Sequence, residues 1–246
     1  LHEEKNEIKN YLEERKIYLI EDAAHAPGAS LNNKKAGTFG DLSCFSFFST
    51  KNMTTGEGGM ITSNNLDLLN KCSSIRNRGI DTNNESESFI RLGGNYRMTE
   101  FQALLGKTQL NRLDEINNTR NEIANIYMQN LNSCFEEGLI EYPFVKNGIY
   151  HSYWRFWVRL KEGIDRKDIK DSLKKESIAS DWTYDPLLHL QPLFKDNFKQ
   201  SNNFSKSEEL ASRHICIPIH AQLQKEDADF ISSTLSKILL TKSNEN

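Results

Sequence analysis

The sequence has 246 residues, of which 37% are hydrophobic and 26% are charged, a composition typical of a globular protein. Its net charge of -3 gives no electrostatic argument for binding to nucleic acid or to an anionic membrane. No apolar run approaches the roughly 18 residues of a membrane-spanning helix, and the four cysteines lack the paired spacing of a metal site. We therefore expect a cytoplasmic protein with reduced thiols, built as one large domain or two smaller ones.

The first elements predicted along the chain are an amphipathic helix and a buried strand. Residues 2–16 place apolar side chains on one helical face, and residues 17–20 form a continuous apolar run that is typical of a buried parallel strand. Asp22 and His25 follow this strand, at the place where open α/β sheets bind ligands. Asp22 has an alternative interpretation as the cap of a helix or turn, and His25 as an ordinary polar residue.

A single lysine marks the next segment. Two apolar runs, residues 44–48 and 59–62, predict two strands, and Lys51 lies in the loop between them among hydroxyl residues and glycines. Lysine rarely gives up its contact with water without a partner. Partial burial lowers the pKa of a lysine from about 10.4, which frees the amine to form a Schiff base with a carbonyl carbon. A surface lysine is the alternative interpretation.

The remaining apolar patterns predict a helical region followed by a smaller α/β domain. Residues 66–75 are predicted to be helical, and Thr99 with Gln102 has the signature of a capping box at the start of one long helix, or of two helices in series. Apolar residues then recur every three or four positions as far as Tyr127, which is most simply interpreted as a buried face. After a boundary near residues 135–150, strands and helices alternate. The strands are predicted at 153–160 and 214–217, and the helices at 165–175, 205–213 and 225–240.

Several short motifs occur together in one order. They are Glu21-Asp22-Ala23-Ala24-His25-Ala26, Gly37-Thr38-Phe39-Gly40-Asp41, Phe45-Ser46-Phe47 with Lys51-Asn52 and residues 54–59, Gly94-Asn95-Tyr96-Arg97-Met98-Thr99-Glu100, Asp185-Pro186-Leu187 and Ile217-Pro218-Ile219. With these motifs in register, the sequence closely resembles the DegT/DnrJ/EryC1/StrS family of pyridoxal-phosphate-dependent sugar aminotransferases. The resemblance covers nearly the whole chain.

The resemblance implies an α/β protein of the PLP-dependent transferase fold type I, which is aspartate-aminotransferase-like. Residues 1–140 would then be the carboxyl-terminal part of the large, PLP-binding domain, and residues 141–246 a small carboxyl-terminal α/β domain. Family members extend further on the amino-terminal side. We therefore expect the sequence to correspond to the carboxyl-terminal part of an aminotransferase, and we expect that part alone to bind the cofactor poorly.

The resemblance also implies a role for each of five candidate site residues. Lys51 matches the catalytic lysine that forms a Schiff base with pyridoxal 5′-phosphate and later moves a proton. Asp22 matches the carboxylate that pairs with the pyridine nitrogen, and Ser46 a hydroxyl that donates to the phosphate. His25 matches a position near the cofactor ring. Asn95 matches an amide that reaches the phosphate bound by a neighbouring subunit, which implies a homodimer. Structural roles remain the alternative for Ser46 and Asn95.

The implied activity is transfer of an amino group, with glutamate as the expected donor, to a keto group on a nucleotide-linked sugar for polysaccharide or glycan biosynthesis. Lys51, where related dehydratases have histidine, favours transamination over dehydration. The expected partners are a nucleotide sugar and an amino-acid donor, with no nucleic acid, no membrane and no metal. Two alternatives stay open: a non-catalytic chain that pairs with a full-length homologue, and a cofactor-binding regulator, which the absence of a basic stripe disfavours.

Overall fold

The structure is a computed structural model that describes residues 8, 10–81, 88–182, 184–194 and 204–243. The chain divides into two compact units, the first formed by residues 1–117 and 146–152, and the second by residues 118–145 and 153–246. The predicted domain boundary between residues 140 and 141 stays a prediction. Within the described ranges, no helix combines the length and the apolar character that crossing a membrane requires.

The described strands come mainly in two groups, which are separated by a run of helices. The strands are β1 (Ile20–Asp22), β2 (Ser30–Leu31), β3 (Lys34–Lys35), β4 (Leu42–Ser46), β5 (Gly59–Thr62), β6 (Ile140–Glu141), β7 (Ile149–Tyr150), β8 (Phe156–Leu160) and β9 (His214–Ile217). The helices are α1 (Leu66–Arg76), α2 (Glu100–Asn111), α3 (Leu113–Asn130), α4 (Asn132–Glu136), α5 (Arg166–Lys175), α6 (Ser205–Arg213) and α7 (Lys225–Ser243). Of the predicted helix at 2–16, residues 10–14 are helical, and its start lies outside the described residues. The other predicted elements of the second half are confirmed with small shifts at their ends.

The first unit is built on a sheet in which the described strands have the order β1–β4–β5. β1 runs parallel to β4 with Asp22 opposite Cys44, and β5 runs antiparallel to β4. Side chains of paired residues point to the same face of a sheet, and side chains alternate between faces along each strand. Asp22, Cys44 and Ser46 therefore share one face, whereas Glu21 and Ser43 share the other.

β1 differs from the buried strand that was predicted at residues 17–20. The strand begins only at Ile20, and Tyr18 and Ile20 are 67% and 63% exposed. The physical reason is that little of the described chain covers the face that carries Tyr18 and Ile20, and β1 also lies at the edge of the described sheet, paired only with β4. The prediction of a buried strand is therefore wrong for the described part of the chain. An apolar strand with an open edge readily pairs with further polypeptide.

The apolar stripe after Thr99 forms two helices with different environments. α2 begins with the predicted capping box, in which the Gln102 N–H donates to Thr99 Oγ1. The prediction of a buried face is wrong for α2, because its one buried residue is Gly106, where a β-carbon would lie 3.0 Å from Thr55 Cγ2. Its large apolar side chains are exposed instead: Phe101, Leu104, Leu105 and Leu110. For α3 the prediction is confirmed by its buried residues, which include Leu113, Ile116, Ile123 and Tyr127.

The second unit has a core of its own. Its sheet has the order β6–β8–β9 with antiparallel pairing throughout, and helices of the same unit pack against it. Tyr127 and Phe156 meet edge to face with ring centroids 5.1 Å apart. The fully buried side chains come from α3, β8, α5, β9 and α7, and include Tyr127, Phe156, Leu160, Ile169, Leu173, Ile215, Leu235 and Leu239. Burial of this many large apolar side chains is the main stabilising contribution in the unit.

A buried arginine joins three segments of the second unit. Arg120, on α3, is 7% exposed. Its Nη1 lies within hydrogen-bonding distance of the carbonyl oxygens of Tyr153 (2.8 Å), Trp154 (3.4 Å) and Ile219 (2.9 Å). Burial, and secondarily the positive charge of Arg155, lowers the pKa of Arg120 to about 10, so the guanidinium stays charged at neutral pH. Arg120 therefore connects α3 to the segments before β8 and after β9 through hydrogen bonds, and the burial of its positive charge costs free energy.

We expect Arg120→Met to lower the free energy of unfolding by about 2 kcal/mol. The carbonyl oxygens lose a charged hydrogen-bond donor, which destabilises the fold, and removal of the buried cation offsets part of that loss. Chemical denaturation of the full-length protein measures this change. Arg112→Met is the matched control, since Arg112 is exposed and pairs with Glu115 on the surface, so we expect less than about 0.5 kcal/mol. Equal losses in the two variants would contradict the role given to Arg120.

Candidate functional site

The Lys51 loop, residues 47–58, connects β4 to β5 and is tightly bonded to itself. The Phe47 N–H donates to the carbonyl oxygen of Gly58 at 2.9 Å, and the Thr55 N–H donates to the carbonyl oxygen of Phe47 at 2.9 Å. Thr55 is buried and Lys51 is half-buried. The backbone that carries Lys51 is therefore held by bonds that do not involve the lysine side chain.

Glycine is required near the end of the Lys51 loop. Gly56 has a φ of +79°, a conformation that side chains with a β-carbon rarely adopt. At Gly58, φ is +151°, and a β-carbon would lie 2.4 Å from Thr55 Oγ1 and 2.9 Å from Met98 Cε. The glycines that the sequence places after the lysine thus let the chain turn back closely into β5.

Two neighbouring carboxylates in β1 have different environments. Glu21 Oε1 accepts a hydrogen bond from the Gly37 N–H at 2.8 Å. Its Oε2 accepts from the Phe39 N–H at 2.9 Å and from Ser43 Oγ at 3.1 Å. Glu21 therefore holds the turn before β4 in place, and its two oxygens are occupied within the fold. Asp22, the next residue, lies on the opposite face of the sheet.

Asp22 is exposed at the carboxyl end of β1. Its Oδ1 accepts a hydrogen bond from the Ala24 N–H at 3.0 Å, so the interpretation as a turn cap is correct for one oxygen. The other oxygen, Oδ2, has no hydrogen-bond partner among the described residues. An ionised carboxylate is purely an acceptor. Asp22 can therefore hold the turn with one oxygen and accept a hydrogen bond from a ligand with the other.

Ser46 ends β4 on the face of the sheet that also carries Asp22. Its Oγ accepts from the Phe48 N–H at 3.4 Å, a long bond that uses the oxygen and leaves the hydroxyl hydrogen able to donate. Because β1 and β4 are parallel, their carboxyl ends meet at one edge of the sheet. The Lys51 loop leaves β4 from this same edge, which we call the carboxyl edge.

The other two predicted site residues lie on turns. His25 is exposed on the turn after β1, and its carbonyl oxygen accepts from Ser152 Oγ at 2.9 Å. Asn95 is exposed, and its backbone forms a bridge with Asn77, just after α1. The structure thus brings Asp22, His25, Ser46 and the start of the Lys51 loop to the carboxyl edge, whereas Asn95 is placed by its pairing beside α1. The roles of all five residues stay predictions.

One buried polar residue in the Lys51 loop and two beside it form hydrogen bonds that were not predicted from the sequence. Asn52, Asn117 and Ser152 are 4%, 0% and 3% exposed. Asn52 Nδ2 donates to Asn117 Oδ1 at 2.9 Å and to the Ser152 carbonyl oxygen at 2.6 Å, across 65 and 100 positions of sequence. No local pattern connects residues so far apart. The one signal that the sequence offers is an amide directly after the candidate lysine.

The groups at the carboxyl edge fit the polar parts of pyridoxal phosphate. A carboxylate oxygen with no described partner suits a protonated pyridine nitrogen, and a hydroxyl at the end of the neighbouring strand suits a phosphate oxygen. A half-buried lysine suits an aldehyde carbon. The chemistry of these groups is therefore compatible with the binding of PLP. Asp22, Ser46 and Lys51 are the residues that would hold the cofactor.

Comparison with known proteins agrees with this chemistry. The sequence model of the DegT/DnrJ/EryC1/StrS aminotransferase family matches residues 3–236. The chain is 35% identical to the GDP-perosamine synthase of Caulobacter vibrioides over 226 residues, which are 91% of this chain and 59% of that protein. It is 32% identical to the UDP-4-amino-4,6-dideoxy-N-acetyl-beta-L-altrosamine transaminase of Campylobacter jejuni over 241 residues, which are 96% of this chain and 62% of that protein.

A solved structure shows the same fold with the cofactor named. The PLP form of Spr1654 from Streptococcus pneumoniae has a TM-score of 0.80 and 26% identity to this chain, and the match covers 92% of this chain and 58% of that one. The predicted fold class, fold type I of the PLP-dependent transferases, is confirmed, and so is PLP as the cofactor. The chain spans 59% and 62% of the length of the two curated relatives above.

Proposed function

Because the chain belongs to the DegT/DnrJ/EryC1/StrS aminotransferase family, we propose that the full-length protein transfers an amino group to a keto group of a nucleotide-linked sugar. Two relatives are named for GDP-linked and UDP-linked sugars, which supports a nucleotide sugar as the acceptor. Glutamate is the proposed donor, and the product would enter polysaccharide or glycan biosynthesis. The observation that carries the proposal is the gathering of Asp22, Ser46 and the Lys51 loop at the carboxyl edge.

Lys51 is the proposed catalytic residue. When bound, PLP supplies an electrophilic carbon and a ring that accepts an electron pair from the substrate carbon. Lys51 Nζ would hold the cofactor covalently between turnovers, and would then act as a general base and acid that moves a proton. The loop that carries Lys51 is fixed by its own backbone hydrogen bonds, which keeps the backbone from which the lysine side chain extends in one place.

Three further side chains at the carboxyl edge are proposed to bind and orient the cofactor. Asp22 Oδ2 would accept the hydrogen bond of the pyridine N–H, and its negative charge would favour the protonated nitrogen. Ser46 Oγ would donate to a phosphate oxygen. His25, exposed on the turn after β1, would contact the ring. Asp22 Oδ1 meanwhile keeps its bond to the Ala24 N–H, which holds the carboxylate at a fixed angle.

A homodimer is part of the proposal. Phe101 and Leu104 on α2 are 87% and 65% exposed, and they form one apolar stripe with Leu105. A contiguous apolar stripe of this kind is the usual mark of an interface, and a second copy of the chain would cover it. Asn95, exposed beside α1, is proposed to reach the phosphate bound in the partner subunit. The four cysteines all lie in the described ranges and none forms a disulfide there, which supports a cytoplasmic location.

An assay of amino transfer tests the proposed function. The full-length protein is incubated with PLP, glutamate and a keto sugar linked to GDP or to UDP, and 2-oxoglutarate is measured. Glutamate alone should give at most about one equivalent of 2-oxoglutarate per chain, because the aminated cofactor then has no acceptor. We expect 2-oxoglutarate to form beyond that amount only when a nucleotide sugar is present. Our proposal fails if neither sugar supports the formation of 2-oxoglutarate until a full-length homologue is added. That result would favour the alternative of a non-catalytic partner chain. The relatives named above are enzymes, which does not favour that alternative.

A further inference from the structure

We propose that the buried amides Asn52 and Asn117 are positioning residues that set the distance between the Lys51 loop and the turn after Asp22. This inference rests on the proposed function, because it concerns how Lys51 is placed relative to the group that Asp22 binds. Neither amide belongs to the carboxyl edge itself. Both act through the backbone of the segments that carry the reacting side chains.

The first of two hydrogen-bonded routes runs through both amides. Asn52 Nδ2 donates to Asn117 Oδ1 at 2.9 Å, and Asn117 Nδ2 donates to the carbonyl oxygen of Pro27 at 2.9 Å. The approach of Asn117 to this turn is so close that a β-carbon at Gly28 would lie 2.4 Å from Asn117 Nδ2. Gly28 also has a φ of +80°. The turn is therefore shaped to receive the amide of Asn117.

The second route bypasses Asn117 and ends on the same turn. Asn52 Nδ2 donates to the carbonyl oxygen of Ser152 at 2.6 Å, and Ser152 Oγ donates to the carbonyl oxygen of His25 at 2.9 Å. Both routes begin at the residue that directly follows Lys51. Both end on the turn that begins at Asp22. One amide group, that of Asn52, thus connects the lysine segment to the aspartate segment in two independent ways.

These routes extend the connection beyond the sheet. The Ala23 N–H donates to the carbonyl oxygen of Cys44 at 2.9 Å, and this is the last ladder bond between β1 and β4. Past that point, the turn and the loop diverge from the two strands. The amide routes link the diverging segments again at Pro27 and His25, where the distance between them determines how Lys51 meets a group held by Asp22.

The burial of Asn52 favours positioning over simple stabilisation. Its Oδ1 is buried and has no hydrogen-bond partner in the described part of the chain. A buried amide with an unpaired oxygen is less stabilising than a well-packed apolar side chain of the same size. An unpaired polar group in a core calls for an explanation, and a functional role is one of them. Because Asn52 directly follows Lys51 and its amide makes both hydrogen-bonded routes, we assign it to the placement of the lysine.

The test uses three variants of the full-length protein: Asn52→Leu, Asn117→Leu and the double variant. Leucine has nearly the shape of asparagine but neither donates nor accepts. The double variant removes both ends of the Asn52–Asn117 hydrogen bond, so neither amide is left facing an apolar partner. The carbonyl oxygens of Ser152 and Pro27 lose their donors, so the folded population of each variant is measured beside its labelling rate. Asn111→Leu, at the exposed end of α2, is the matched control.

The measured quantity is the rate at which added PLP becomes fixed to Lys51 by borohydride, followed by the mass of the Lys51 peptide. We expect the double variant to be labelled about 10- to 100-fold more slowly than the wild type, since a displacement of about 1 Å has effects of this size. The pH at which labelling is half-maximal is expected to shift as well, whereas the control matches the wild type in both respects.

Two outcomes overturn the inference and one overturns its premise. A double variant labelled at the wild-type rate, whether or not the single variants are slow, shows that the amides serve packing alone. A slow double variant with an unshifted pH profile and reduced folded population shows the same. A wild-type protein that is not labelled at Lys51 overturns the proposed function itself, and is recognised before any variant is compared.

Discussion

Lys51→Ala is expected to lower the rate of amino transfer by on the order of 10⁴-fold or more, because it removes both the covalent attachment point and the group that moves the proton. The loop itself should survive, since Phe47, Thr55 and Gly58 hold it through backbone hydrogen bonds. We therefore expect a change in the free energy of unfolding below about 1 kcal/mol. Steady-state assay and chemical denaturation of the same preparation measure the two quantities.

Lys71→Ala is the matched control for Lys51→Ala. Lys71 is exposed on α1, outside the carboxyl edge, and its loss should leave the rate within about twofold of the wild type. If Lys51→Ala kept more than a tenth of the wild-type rate, the lysine would not be the attachment point. Addition of a small primary amine that partly restores activity would support the role of Lys51 as an acid and base.

Asp22→Asn should lower the rate of amino transfer by roughly 10²- to 10³-fold, the size of effect that follows loss of one preorganised electrostatic contact in an active site. Asparagine keeps an oxygen that accepts from the Ala24 N–H, so the turn after β1 remains intact. Only the negative charge is removed, and with it the preference for a protonated pyridine nitrogen. We expect a lower kcat and an altered absorbance of the bound cofactor, with stability nearly unchanged.

Glu21→Gln is the matched control for Asp22→Asn and should have the opposite signature. It neutralises the neighbouring carboxylate, whose oxygens accept from the Gly37 N–H, the Phe39 N–H and Ser43 Oγ. We expect it to lower the free energy of unfolding by about 1–2 kcal/mol with kcat within a few fold of the wild type. If the two variants exchanged these effects, the assignment of the two carboxylates to opposite faces would be wrong.

Much of the fold could be predicted from local patterns. The helices at 205–213 and 225–240 and the strand at 214–217 follow from apolar periodicity, and the capping box at Thr99 from two residue types at the right spacing. Burial was harder to predict than secondary structure. The stripe on α2 has the periodicity of a core helix, yet Phe101 and Leu104 are exposed. Periodicity reports which side of a helix is apolar, and not what covers that side.

The candidate site was predictable only in part, for a physical reason. Asp22, Ser46 and Lys51 sit within short motifs, and the ends of neighbouring parallel strands necessarily meet. Glu21 holds a turn and Asp22 is available to a ligand because their side chains lie on opposite faces of the sheet. The register of β1 with β4 determines which side chain lies on which face. The hydrogen bonds of Asn52 with Asn117 and Ser152 join residues that are 65 and 100 positions apart, and no pattern in one sequence encodes such contacts.

The measurement that tests the account most directly is peptide mapping of the full-length wild-type protein after incubation with PLP and reduction with borohydride. Our account predicts a single modified site, Lys51, at close to one adduct per chain. Glutamate added before the reduction should prevent the modification, because amino transfer releases the cofactor from the lysine. Modification of a different lysine, or none at Lys51, would contradict the assignment of the Lys51 loop and of the carboxyl edge as the active site.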